Sequence, residues 1–218
     1  MNEISRVTRS KESARRAYDG MSRWYDLFAG SEKKFAEAGL KMLAARSDEK
    51  VLDIGFGTGD ALLTLAKTLN PEAIYGIDLS PKMRVVAERK LKRAGLHEYV
   101  LLKTGDAAHL PYPDDFFDAV FMSFTLELFD TPEIPRVLSE CKRVLREDGR
   151  LGVVCLEKEA RLSIRVYEWF HRQMPSLVDC RPIYTEEHLR QSGFVVVDKN
   201  VLTMWGLPVS IVVAKKTP

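Results

Sequence analysis

Cysteine is scarce in this chain and shows no pattern. Cys141, Cys155 and Cys180 are odd in number and far apart, with neither a CxxC pair nor a Cys/His spacing suited to a metal. A disulfide framework and a bound metal are therefore not expected, and reduced thiols point to the cytoplasm. Excess charge of either sign is also missing. The 33 Lys and Arg against 31 Asp and Glu leave a formal net charge of +2, which gives no field for gathering nucleic acid. No stretch reaches the roughly 18 apolar residues of a membrane span. The opening "MNEISRVTRSKESARRAYDG" lacks the apolar core of a signal peptide. Repeats, low-complexity tracts and Pro/Gly/Ser-rich linkers are missing too. With 218 residues, 45% apolar, a single folded domain with a substantial core is expected.

What the chain does have is alternation. "KVLDIG", "AIYGID", "YVLLKTGD", "FDAVFMSF" and "GRLGVVCL" read as buried strands. Between them lie helical patterns: "DALLTLAKTL", with Leu62, Leu65, Ala66 and Leu69 on one stripe, and "SPKMRVVAERKLKRAG", and a third from about Pro132 to Arg146. The second is bounded by Ser80 as N-cap, Pro81 at the first helical position and Gly95 past the end. Before the first strand, Phe35, Leu40, Leu43 and Ala44 in "EKKFAEAGLKMLAAR" fall at helical spacing. Apolar strands alternating with helices imply βαβ units and an α/β, doubly wound, mostly parallel sheet. "FVVVDKNVL" and "VSIVVAKK" close the chain as an antiparallel hairpin at the sheet edge, giving seven strands in all.

Such sheets bind ligands beyond the carboxyl ends of their strands, at the point where strand order reverses. The turn after the first strand, "VLDIGFGTGD", carries Gly55, Gly57 and Gly59 at alternate positions, with Asp53 just ahead. A dinucleotide fingerprint needs GxGxxG, and a phosphate loop needs GxxxxGK with Ser or Thr; neither spacing is present. Asp78 ends the second strand about 20 residues on, where a carboxylate can accept both hydroxyls of a ribose. Asp106 ends the third, placed to accept from an adenine amine while Ala107 offers a backbone N–H to the ring. Any one Asp would read as a helix cap or turn former. Three in register at one sheet mouth read as a site.

"VLDIGFGTGD", "IYGIDLSPKM", "GDAAHLPYPDDFFDAVFMSF" and "VLREDGRLGVV" resemble the successive motifs of class I S-adenosylmethionine-dependent methyltransferases. They are most similar to the branch that includes the ubiquinone/menaquinone C-methyltransferases, over roughly residues 18 to 156. The resemblance implies S-adenosylmethionine as cofactor, with Gly55, Gly57 and Gly59 against its methionine part and Asp53 near its amino group. It implies Asp78 on the ribose, Asp106 on the adenine amine, and Leu79 and Met83 flanking the ring. It also makes "YDGMSRWYD" a lid segment, with Tyr18 and Tyr25 on the cofactor; a helix packing Trp24 and Phe28 on the core is the alternative.

Methyl transfer needs alignment and exclusion of water more than it needs a base. Ser123, Phe124, Thr125 and Glu127 follow the fourth strand, facing the cofactor's methyl group. Their loop is apolar with one carboxylate, which favours a small or lipidic acceptor, of quinone-precursor or phospholipid-amine type, over a nucleic-acid base. Glu127 is one candidate catalytic group, a solvated turn residue being the other reading. His171 is the second candidate, as a base, within an insertion that also holds Asp179, Arg181 and Tyr184. Tyr167, Phe170 and Met174 form one helical stripe there. It reads as a helix packed on the sheet, as an acceptor pocket, or as a peripheral membrane contact. Residues 1–46 are expected as a helical lid, 47–218 as the cofactor-binding domain, and 157–192 as an acceptor-covering insertion. A non-catalytic binding protein and an RNA methyltransferase are the competing readings.

Overall fold

The apolar segments meet in one sheet. The computed structural model describes residues 25–69, 74–159 and 180–217, with isolated positions 12, 15, 16, 164 and 167. The strands are β1 (Val51–Ile54), β2 (Ile74–Asp78), β3 (Val100–Thr104), β4 (Phe117–Ser123), β5 (Leu145–Leu156), β6 (Phe194–Met204) and β7 (Leu207–Lys216). They lie in the order β3-β2-β1-β4-β5-β7-β6. The first five pair in parallel, whereas β7 runs antiparallel between β5 and β6. Strand order therefore reverses between β1 and β4, and the crevice predicted for a ligand opens above their carboxyl ends.

Helices α1 (Tyr25–Leu43), α2 (Asp60–Thr68) and α3 (Pro81–Arg93) cover one face, and α4 (Ile134–Val144) and α5 (Thr185–Gln191) the other. The strands divide their side chains between these layers with period two. Ala119, Phe121 and Val154 join Phe35, Leu43, Leu62 and Ala87 in one core. Val120, Met122 and Val153 join Val137, Leu138 and Leu189 in the other. Helix punctuation behaves as read: Ser80 Oγ accepts from the Met83 N–H at 3.1 Å, and Gly95 has φ 72°.

Two boundaries differ from the sequence reading. Helix α1 ends at Leu43, and Ala44 leaves the apolar stripe, exposed and at φ 49°. The third helix stops at Val144 rather than Arg146, because Leu145 already pairs with Phe117 before the β4–β5 register shifts. The C-terminal hairpin lies at the sheet edge as expected, joined to β5 by its second strand with β6 outermost.

Arg150 fixes the end of α1 to β5. Its guanidinium donates to the Ala44 carbonyl (2.7 Å) and to both carboxylate oxygens of Glu49 (3.0 and 2.7 Å). Burial pushes the Glu49 carboxyl up, but hydrogen bonds from Arg150 and the Arg46 N–H, with both charges, outweigh it and hold it below its ordinary value. Removing one partner of such a pair strands the other. Arg150→Met is expected to cost about 3–5 kcal/mol, read from denaturant unfolding. The Glu49 part of this stability is present above the ordinary carboxyl pKa and fades as pH falls through the lowered folded value.

Candidate cofactor and acceptor site

The turn after β1 is built from left-handed backbone. Gly55, Gly57 and Gly59 have φ of 71°, 51° and 87°, a region that side chains with a Cβ enter at a cost. Gly55 has a second constraint. A Cβ there would lie 2.4 Å from both Cγ2 and Oγ1 of Thr125, in the loop after β4. The turn is tied to its neighbours as well: the Gly55 N–H donates to Ile77 O at 2.8 Å. Lys90 of α3 reaches Thr58 Oγ1 at 3.1 Å and Asp60 Oδ1 at 3.0 Å.

Three carboxylates meet at this edge. Asp53, 1% exposed, has an Oδ2 with no hydrogen-bond partner among the described residues. Burial, and then the charge of Asp78, push its carboxyl up to about 8. Asp78 accepts from the Gly57 N–H at 2.9 Å through Oδ2 and from the Ser80 N–H at 2.8 Å through Oδ1. It thus shapes the glycine turn, a role its position in the sequence does not show. Asp106 lies just past β3, partly exposed, and accepts from the Ala108 N–H at 3.0 Å. Beside it the Ala107 N–H has no hydrogen-bond partner among the described residues. Helix α4 holds this loop from below: Glu140 accepts from the Leu110 N–H (2.7 Å), and Arg143 donates to the carbonyls of Leu110 (3.0 Å) and Tyr112 (2.8 Å). Leu79, half-buried, and Met83, 2% exposed, stand at the start of α3.

The fourth wall follows β4. Ser123 ends the strand opposite Val154, and Phe124 turns the chain at φ 50° with its ring edge-on to Phe35, centroids 6.2 Å apart. Glu127 is not the solvated turn residue that was one reading. It is wholly buried, and its Oε1 accepts from the Leu156 N–H at 3.2 Å. That bond fastens the loop to the end of β5. Arg181, also wholly buried, donates to Glu127 O (3.2 Å), Phe129 O and Thr131 Oγ1 (3.0 Å). Sequence reasoning grouped Arg181 with the acceptor cover and missed that it straps the loop after β4; no periodicity announces such a contact. Tyr25 opens α1, while Tyr18, Asp179 and His171 lie outside the described residues.

A family profile described as "Methyltransferase domain" matches residues 51–149. The demethylmenaquinone methyltransferase of Thermotoga maritima is 32% identical over 169 residues, covering 74% of this chain and 70% of that one. The chain belongs to the class I S-adenosylmethionine-dependent methyltransferases. Its similarity lies toward the ubiquinone/menaquinone branch. A second demethylmenaquinone methyltransferase, from Lactobacillus johnsonii, is 36% identical over 138 residues, or 63% of this chain and 55% of that one. The match thus spans only about half the length of that relative. In architecture the methyltransferase resembles an S-adenosylmethionine-dependent enzyme from Aquifex aeolicus, at TM-score 0.63 and 24% identity over 83% of this chain and 89% of the other.

Its cofactor is S-adenosylmethionine, and the residues present fit that group. A buried, unpartnered carboxylate oxygen at Asp53 calls for a donor such as an ammonium. The Ala107 N–H beside Asp106, without a partner among the described residues, offers the donor–acceptor pair that an adenine edge requires. Among the described residues, no helix is long and apolar enough to cross a membrane, and no group of three His, Cys, Asp or Glu could hold a metal.

Proposed function

We propose that this methyltransferase methylates a quinone precursor in its reduced, electron-rich form. The observation that carries the reading is the pair of matches to demethylmenaquinone methyltransferases, over 63% and 74% of the chain. The apolar composition of the loop after β4, "SFTLELF", supports an acceptor with little polar surface.

S-adenosylmethionine supplies a methyl group already activated on a sulfonium sulfur. Asp78 takes the ribose hydroxyls, Asp106 the adenine amine, the Ala107 N–H a ring nitrogen, and Leu79 and Met83 the ring faces. Gly55, Gly57 and Gly59 let backbone approach the methionine part, whose ammonium meets Asp53. Ser123 closes the β4 side, and Tyr18 and Tyr25 cover the cofactor from a lid within residues 1–46, whose later part, α1, is held in the core by Phe35 and Leu43. Residues 157–192 cover the acceptor. As its ring carbon gains the methyl, that carbon loses a proton, and His171 is the base proposed to take it. Glu127 acts by holding the loop that seats the acceptor.

Asp53 gives the binding a pH dependence. Ammonium binding favours the ionised carboxylate, so the cofactor competes with a proton for this site. Affinity for S-adenosylhomocysteine is expected to rise with pH up to about 8, by as much as tenfold per unit while the group is protonated, and to level off above. Asp53→Asn should flatten that profile. In the ligand-free protein the sign is opposite: the raised carboxyl is increasingly costly as pH climbs from its unfolded value toward about 8.

Incubation with methyl-labelled cofactor and either a reduced demethylated naphthoquinone or a phospholipid amine tests the acceptor. Label is expected on the quinol ring by mass spectrometry. Label on the amine alone, or on neither, would reject the quinone reading.

A further inference from the structure

Trp205 occupies a position that folding does not account for. It and Gly206 make the two-residue connection between β6 and β7, closed by the Met204–Leu207 pair. Both have positive φ, 51° and 79°, the type I′ geometry that favours Asn-Gly or Asp-Gly and disfavours a bulky aromatic. The indole gains nothing by burial in exchange: at 73% it is the most exposed large apolar side chain among the described residues. A Cβ added at the adjoining Gly206 would meet nothing within 4 Å, so the tip stands clear of the body.

Topology places this tip at the working edge of the sheet. Strand β7 starts where β5 ends, with Leu156 opposite Val209, and the Glu157 N–H donates to Pro208 O at 2.9 Å. The turn therefore lies beyond the carboxyl ends of the parallel strands, on the same edge as the glycine turn and Ser123, at the rim next to the end of β5. Its stem is rigid, with Met204 and Leu207 each only 6% exposed. A strained, unburied aromatic on a fixed arm beyond the carboxyl end of β5 is a contact in waiting.

We propose that Trp205 is a specificity residue for the acceptor, its indole packing against the acceptor's apolar portion at the outer rim of the cleft. This rests on the reading that the acceptor is a quinone precursor. A membrane surface is the other occupant an exposed Trp brings to mind. The flanking stretch "VLTMWGLPVS" holds no Lys or Arg to meet anionic lipid, so the acceptor is the better fit.

The test compares wild type with Trp205→Asn and Trp205→Phe, using a demethylated naphthoquinol with a short prenyl tail and its tail-less counterpart. For Trp205→Asn, KM for the tailed acceptor is expected to rise about tenfold, with kcat and the Kd for S-adenosylhomocysteine unchanged and the tail-less KM moving less than about twofold. Trp205→Phe should recover most of the loss. Because Asn suits the turn, Tm should hold or rise by about 2–4 °C. An unchanged KM for the tailed acceptor overturns the assignment, as does a fall in Tm, which would make the indole a packing residue. Loss of sedimentation with anionic vesicles at unchanged KM overturns it in favour of a membrane anchor. Wild type that turns over neither quinol fails differently: it rejects the acceptor reading and the Trp205 assignment with it.

Discussion

Asp78→Ala is expected to weaken binding of S-adenosylhomocysteine at least about a hundredfold, measured by equilibrium dialysis with labelled ligand. Two losses add here. The variant gives up the acceptor proposed for two ribose hydroxyls, and hydrogen bonds to a charged group are each worth about 1.5–3 kcal/mol. It also releases the Gly57 and Ser80 N–H groups, which Asp78 now holds at 2.9 and 2.8 Å, so the glycine turn and the first turn of α3 lose a common anchor. Asp78→Asn separates the two effects. An amide oxygen can hold one of the N–H groups but cannot serve both of them and a diol. Asn should therefore recover only part of the stability that Ala loses while still binding poorly. Wild-type affinity in Asp78→Ala would remove the ribose assignment.

Gly55→Ala should be nearly as damaging, and by geometry alone. The new methyl would lie 2.4 Å from two atoms of Thr125, and φ is +71°. Left-handed backbone costs an alanine about 1–2 kcal/mol, and overpacking typically adds about 1–3. Together these predict about 2–5 kcal/mol of destabilisation and loss of cofactor binding. Adding Thr125→Ala should restore most of the steric part only, since it removes Cγ2 and Oγ1 but leaves the Thr125 Cβ at 3.0 Å and φ unchanged. If the double variant is no more stable than Gly55→Ala, the close approach of the two loops is not what holds this turn.

The sequence announced the fold through local patterns. Apolar runs of strand length, Ser80-Pro81 opening a helix and Gly95 closing it each act within a few residues, so they can be read in one dimension. The place of the candidate site was legible for the same reason. Asp53 lies near the end of the first predicted strand, Asp78 and Asp106 end the next two, and parallel strands bring such ends together. What could not be read is what depends on contacts across the chain. Glu127 looks like a surface residue in "TLELFD", yet it is buried because its loop folds back on the end of β5. Arg181 straps that loop from a point far along the chain, and Arg150 reaches α1 across more than 100 residues. The second role of Asp78 was hidden likewise, because both of its N–H partners are backbone groups that no side-chain pattern betrays. The register shift that lengthens β5 depends on pairing with Phe117, not on the composition of "LREDG".

The central claim is that the glycine turn and its three acidic neighbours form an S-adenosylmethionine site. Calorimetric titration of the wild-type chain with S-adenosylhomocysteine, with NAD as control, tests it most directly. The account predicts saturable heat at one ligand per chain and a higher Tm with S-adenosylhomocysteine, and no heat with NAD. No heat and no stabilisation with S-adenosylhomocysteine, or saturable binding of NAD in its place, would contradict it.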